Sequence, residues 1–93
     1  MVKKAVRAIV QGTIQGVFFR SFCKQNADFL KLKGHVRNMT NGNVEVFLEG
    51  DHTAIERMIQ ILKKGPEHSQ IKNVVVEEKK WTGDHDSFKI LRF

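Results

Sequence analysis

The sequence predicts an α+β sandwich: a five-stranded antiparallel sheet with two helices on one face. Three observations lead there. Apolar residues alternate with polar ones near the start, middle and end of the chain, two segments carry apolar residues at helical spacing, and glycine-bearing turns separate these stretches.

In residues 4–11, Val6, Ala8 and Val10 alternate with Ala5, Arg7, Ile9 and Gln11, as in a strand with one drier face, and Gly12 is expected to end it. A loop then reaches Arg20. Residues 21–32 place Phe22, Cys23, Ala27 and Leu30 along one side, with Lys24, Gln25, Asp28 and Lys31 outside, so a first helix is expected there with Gly34 as its stop. Val36 begins a second strand. Asn41-Gly42 carries the signature of a type I′ hairpin, since both residue types tolerate positive φ. Beyond it, Val44, Val46 and Leu48 alternate with Glu45, Phe47 and Glu49, which buries one face and leaves most of the other wet. Gly50 and Asp51 close that third strand.

Within residues 51–64, Ile55, Met58, Ile59 and Leu62 recur at helical spacing. Asp51 is placed to cap the amino end, and Lys63-Lys64 suit the carboxyl end. Gly65-Pro66 terminates this second helix. Val74-Val75-Val76 and residues 88–91 supply two further strands, separated by the turn-like Thr82-Gly83-Asp84. The order strand, helix, strand, strand, helix, strand, with one extra strand, predicts a ferredoxin-like sandwich. A right-handed first crossover makes the first two strands parallel neighbours. The loop after Gly12 and the strand end near Asn38 then share one end of the sheet.

A chain of 93 residues that is 41 % hydrophobic fits a single domain spanning residues 1–93. Charged residues make up 28 % of it, and no low-complexity tract or repeat interrupts it. A formal charge of +6 favours anionic partners without choosing among nucleic acid, membrane and small phosphorylated molecules. The basic residues are spread from Lys3 to Arg92, which argues against a polyanion-binding tail. Cys23 is the only cysteine, so no intramolecular disulfide forms, and the short apolar run before Gln11 is neither a signal peptide nor a membrane span. The cytoplasm is the expected compartment.

The chemistry concentrates in Gly12-Thr13-Ile14-Gln15-Gly16-Val17-Phe18-Phe19-Arg20, which joins a strand to a helix. Its glycines permit tight turns, and the start of the following helix presents unpaired amides that favour a phosphate. The Arg20 guanidinium adds a two-pronged, charge-assisted contact that lysine lacks. Glycine-bearing strand-to-helix loops are also ordinary connections, so the residues by themselves leave both readings open.

GTIQGVFFR closely resembles the acylphosphatase signature, with Ile14 in place of the usual valine. Gly34-His35-Val36-Arg37-Asn38, followed by Gly42, Val44 and Gly50, resembles the second signature of that family, with His35 where an aromatic residue is usual. The resemblance extends over the whole chain in length and element order. It implies a metal-independent enzyme that hydrolyses acyl phosphates to a carboxylate and inorganic phosphate, with no cofactor. The implied cradle is formed by backbone amides of Gln15, Gly16, Val17, Phe18 and Phe19, with Arg20 binding phosphate and Asn38 orienting the attacking water. Gln15 and Gly16 also shape the loop, whereas the side chains of Phe19 and Phe22 are expected in packing. The identity of the acyl group is not readable from the motif.

His35, His52, His68 and His85 are scattered without metal-ligand spacing, Asp84-His85-Asp86 reads as a solvated turn, and Cys23 as a small core residue. Asparagine near a strand end commonly makes local turn bonds, and a lone arginine is by default a surface residue. Their joint placement at one sheet end favours the site. RNA-recognition modules share this element order and would use the positive charge, yet the third strand carries two acids and one aromatic residue where basic and stacking residues are needed. A regulatory domain that keeps the fold without catalysis is the third reading, opposed by Arg20 and Asn38. A monomer without specific nucleic-acid or membrane partners is expected.

Overall fold

The computed structural model describes residues 2–13 and 16–92, with Thr13 and Gly16 described only by their place in strand and helix. The elements are β1 (Lys3–Thr13), α1 (Gly16–Phe29), β2 (Lys33–Asn38), β3 (Val44–Asp51), α2 (His52–Lys64), β4 (Gln70–Lys79) and β5 (Phe88–Ile90). They build a five-stranded sheet in the order β4-β1-β3-β2-β5. The ferredoxin-like α+β architecture expected from the sequence is the one observed, with α1 packed on β2 and β5 and α2 on β4, β1 and β3.

Two details of the sheet differ from expectation. It is mixed, because β5 runs parallel to β2 while every other pair is antiparallel. And β1 and β2 are parallel in direction but not neighbours: β3 lies between them, with Val44 facing Val10 on one side and Asn38 on the other. A strand returning directly from a hairpin pairs with its predecessor, and here β3 inserts beside β1 as it does so. The inference that mattered survives, since β1 and β2 still end at the same end of the sheet.

The even-numbered residues of β1 and β3 meet the helices. Val6, Ala8, Val10, Val44, Val46 and Leu48 are buried with Val36 and Phe88 from the sheet, Phe19, Cys23 and Ala27 from α1, and Ile55, Met58 and Leu62 from α2. Burial also pushes the Cys23 thiol far up, so it stays protonated within the core.

Element ends move for identifiable reasons. β1 continues through Gly12 to Thr13, with a bulge at Gln11/Gly12 where β4 comes close: a Cβ on Gly12 would lie 2.1 Å from the Gln70 carbonyl oxygen. Helix α1 begins at Gly16, not Ser21, so Arg20 belongs to a helix and not to a loop. It ends at Phe29, and Lys31, not Gly34, supplies the left-handed residue that closes it. Lys31 takes φ 60°, its N–H reaches the Asp28 carbonyl at 3.1 Å, and the Leu32 N–H reaches the Ala27 carbonyl at 2.8 Å, a Schellman closure with lysine where glycine is usual. Gly34 instead lies inside β2.

The β2–β3 turn is not type I′, because Gly42 has φ 88° while Asn41 is not among the residues of positive φ. Gly42 N–H donates to the Met39 carbonyl at 3.1 Å, Met39 N–H to the Asn43 carbonyl at 2.8 Å, and the Asn41 side-chain oxygen accepts from Asn43 N–H, so a three-residue loop with one left-handed glycine joins the strands. Asp51 stands at the amino end of α2 but makes no side-chain capping bond.

The open face of the sheet is drier than the alternation implied. Glu45 and Glu49 are both buried. The connection from β4 to β5 joins opposite edges of the sheet and crosses this face, where Thr82 donates to Glu49 from both its N–H (2.8 Å) and its hydroxyl (2.9 Å). His85, expected in a solvated turn, is half-buried and packs 5.3 Å from the Phe47 ring.

Candidate active site

The junction of β1 and α1 forms the centre of the site. An α-helix leaves the amides of its first turn without acceptors one turn back in the helix, and α1 opens at Gly16. Val17 and Phe18 are exposed at this turn. Gln15 lies outside the described residues. Phe19 divides the cradle from the core: its side chain is only 1 % exposed and packs 5.9 Å from Phe22. Any part Phe19 plays in binding is therefore through its backbone.

Arg20 follows one turn into the helix and is half-buried. Every Cα–Cβ bond of an α-helix leans toward its amino end, so a residue four places after Gly16 directs its side chain back over the first turn.

Asn38 is the last residue of β2 and is exposed. It is level with Val44 of β3 and hence with Val10 of β1, two residues before Gly12. The fold thus gathers the start of α1, with Arg20, and Asn38 at one end of the sheet.

A cluster that the sequence reading did not assemble fixes this alignment from the open face. Glu45 of β3 accepts from Arg7 Nε of β1 at 2.5 Å and from Arg37 Nε of β2 at 2.7 Å, and His35 Nε2 lies 3.1 Å away. Burial alone would raise the Glu45 carboxyl, but hydrogen bonds from Arg37, His35 and Arg7 outweigh it and bring it down to about 2. One carboxylate therefore ties β1 and β2 together through β3, one residue away from the row that holds Asn38. Odd-numbered Arg7, Arg37 and Glu45 share a face by alternation, but only the sheet order shows that they meet.

His35 retains the packing expected of an aromatic residue. It stacks on Phe47 with ring centroids 5.6 Å apart and planes 15° apart, on the face away from Asn38, and adds the contact to Glu45. Among the described residues no group of three or more His, Cys, Asp or Glu gathers as a metal-ligand set.

This arrangement has relatives. The family model described as Acylphosphatase matches residues 6–90. An acylphosphatase of Methanocella arvoryzae is 38 % identical over 87 residues, 94 % of this chain and 98 % of the relative. Among solved structures, the acylphosphatase of Bacillus subtilis superposes with a TM-score of 0.90 at 35 % identity, covering 96 % of this chain and 99 % of that one. An acylphosphatase from Coxiella burnetii gives a TM-score of 0.89 at 31 % identity, covering 96 % and 93 %. The chain whose sheet brings the start of α1 and Asn38 to one end thus belongs to the acylphosphatase family, metal-independent hydrolases of acyl phosphates.

Proposed function

We propose that Arg20 and the amides at the start of α1 hold the phosphoryl group of an acyl phosphate while Asn38 holds the water that attacks it. The observation that carries this division of roles is the common position of the α1 start and Asn38 at one end of the sheet. Gln15 through Phe19 supply backbone donors to the phosphoryl oxygens, and Arg20 neutralises their charge as it spreads in the transition state.

Water adds to phosphorus as the bond from phosphorus to the acyl oxygen breaks, and the carboxylate leaves with the bonding pair. Its conjugate acid has a pKa of about 4, like an ordinary carboxyl, so it departs without a protein acid. Asn38 is too weak a base to take the proton of water. Its amide oxygen accepts a hydrogen bond that orients the water, and the phosphate itself receives the proton. Positioning and charge stabilisation account for the chemistry without a protein nucleophile.

The same reading takes residues 1–93 as one catalytic unit, acting as a monomer in the cytoplasm, where a lone reduced Cys23 is at home. Nucleic acid is not part of it. Phe47, the only aromatic residue of β3, is stacked by His35 and flanked by the tilted ring of His85 rather than open to bases, and Arg7 and Arg37 are engaged by Glu45.

The test is Arg20→Ala beside Arg20→Lys, assayed with benzoyl phosphate in the presence of a chelator. Removal of a group of this kind lowers kcat by about 10²–10³-fold. Inhibition by inorganic phosphate should weaken in parallel, and lysine should restore little because it lacks the planar fork. Full activity of folded Arg20→Ala would exclude the assignment.

A further inference from the structure

β2 is held from two sides for only part of its length. β5 pairs with Gly34, His35 and Val36, and this edge closes with the Leu91 N–H donating to the Val36 carbonyl at 2.9 Å. Arg37 and Asn38 reach beyond β5 and pair with β3 alone, opposite Glu45 and Val44. Asn38 is exposed, and among the described residues its side chain has no hydrogen-bond partner. With no contact of its own to fix it, that amide takes its position from the strand tip that carries it.

The tip is also anchored from the open face of the sheet. Successive side chains of a strand leave on opposite sides, so Arg37 and Asn38 project from opposite faces. Arg37 stands directly across from Glu45 and donates to it from two nitrogens, Nε to Oε1 at 2.7 Å and Nη2 to Oε2 at 3.4 Å. Such a fork fixes direction as well as distance. Glu45 is buried and is itself held by Arg7 Nε of β1, so it does not follow the tip if the tip moves.

We infer that Arg37, braced by Glu45, is a positioning residue for the hydrolysis: it sets the tip of β2, and through the peptide that joins them it sets where the Asn38 amide holds the water. The inference rests on the role given to Asn38 above. Arg37 leaves from the face opposite Asn38 and its guanidinium is engaged by Glu45, so it acts through Asn38 and not by touching the phosphate. Small movements suffice, since a misplacement of about 1 Å costs on the order of 10² in rate. In the same reading the phosphate is held at the start of α1, which does not share the β2 tip. The effect of Arg37 therefore belongs to turnover and not to phosphate affinity.

The test is kcat for benzoyl phosphate, with the inhibition constant of inorganic phosphate, in Arg37→Ala, Arg37→Lys, Asn38→Ala and the double variant Arg37→Ala/Asn38→Ala. Arg37→Ala leaves Glu45 with Arg7 and His35, so the variant should fold. Its kcat should fall about tenfold, the scale of a displacement below 1 Å, while the phosphate inhibition constant stays within about twofold of wild type. Arg37→Lys keeps the charge without the fork and should lose nearly as much. Once Asn38→Ala has removed the amide to be placed, adding Arg37→Ala should change kcat by less than about twofold. Wild-type kcat in Arg37→Ala overturns the inference, as does wild-type kcat in Arg37→Lys, which would assign the effect to charge alone. Phosphate inhibition that weakens in step with turnover overturns it too, as does an Arg37→Ala loss equally large with and without Asn38. An Asn38→Ala protein with wild-type kcat would instead remove the reading on which it rests.

Discussion

Glu45 is the single residue whose contacts tie β1, β2 and β3 together, and its chemistry predicts a pH dependence. Its carboxyl is held at about 2 against an ordinary value of 4.5. Because the folded value is the lower one, the unfolded chain binds the proton more readily. The contribution is therefore complete above the ordinary value and is lost as pH falls from there through about 2. The shift corresponds to about 3 kcal/mol at neutral pH, of which about 2 kcal/mol disappears by pH 3. Urea unfolding at pH 7 and pH 3 should show that loss in the wild-type protein and a flatter response in Glu45→Gln, which also leaves Arg7 and Arg37 facing each other without their shared acceptor. Equal pH dependence in the two proteins would mean that Glu45 does not act as the tie. The sequence placed Glu45 on the correct face of β3 but read that face as largely wet. Its partners lie on strands 38 and 8 residues away, and no local pattern reveals their meeting.

At the scale of elements, the apolar alternation located the middle strands and the helical spacing located the middles of both helices. The boundaries escaped it wherever the reason was not apolar. Val17 and Phe18 are exposed and so do not continue the buried stripe of Phe19, Cys23 and Ala27, which is why the first turn of α1 reads as loop. The far end of α1 was obscured by Lys31, a residue whose type carries no sign of the left-handed conformation it adopts. Such a conformation costs a non-glycine residue about 1 kcal/mol, part of which a glycine gives back through its freer unfolded chain. Lys31→Gly should accordingly stabilise the fold by about 0.5–1 kcal/mol, seen as a higher urea midpoint with an unchanged slope. A lower midpoint would show that the lysine side chain contributes more than its backbone costs.

For the molecule as a whole, strand count, helix number and the shared end of β1 and β2 were all readable from element order. The insertion of β3 between them and the parallel β5 were not, because both depend on where strands distant in sequence settle. The same end of the sheet carries the start of α1 and, toward β2, Asn38. The central claim is that this end of the sheet separates holding the phosphate from holding the water. It is tested most directly by comparing kcat for benzoyl phosphate with the inhibition constant of inorganic phosphate in Asn38→Ala. If Asn38 orients the water, kcat should fall by about 10²–10³-fold, as for loss of one positioned hydrogen-bonding group, while the phosphate inhibition constant stays within about twofold. A folded Asn38→Ala protein that turns over at the wild-type rate, or that loses phosphate binding in step with turnover, would contradict that separation.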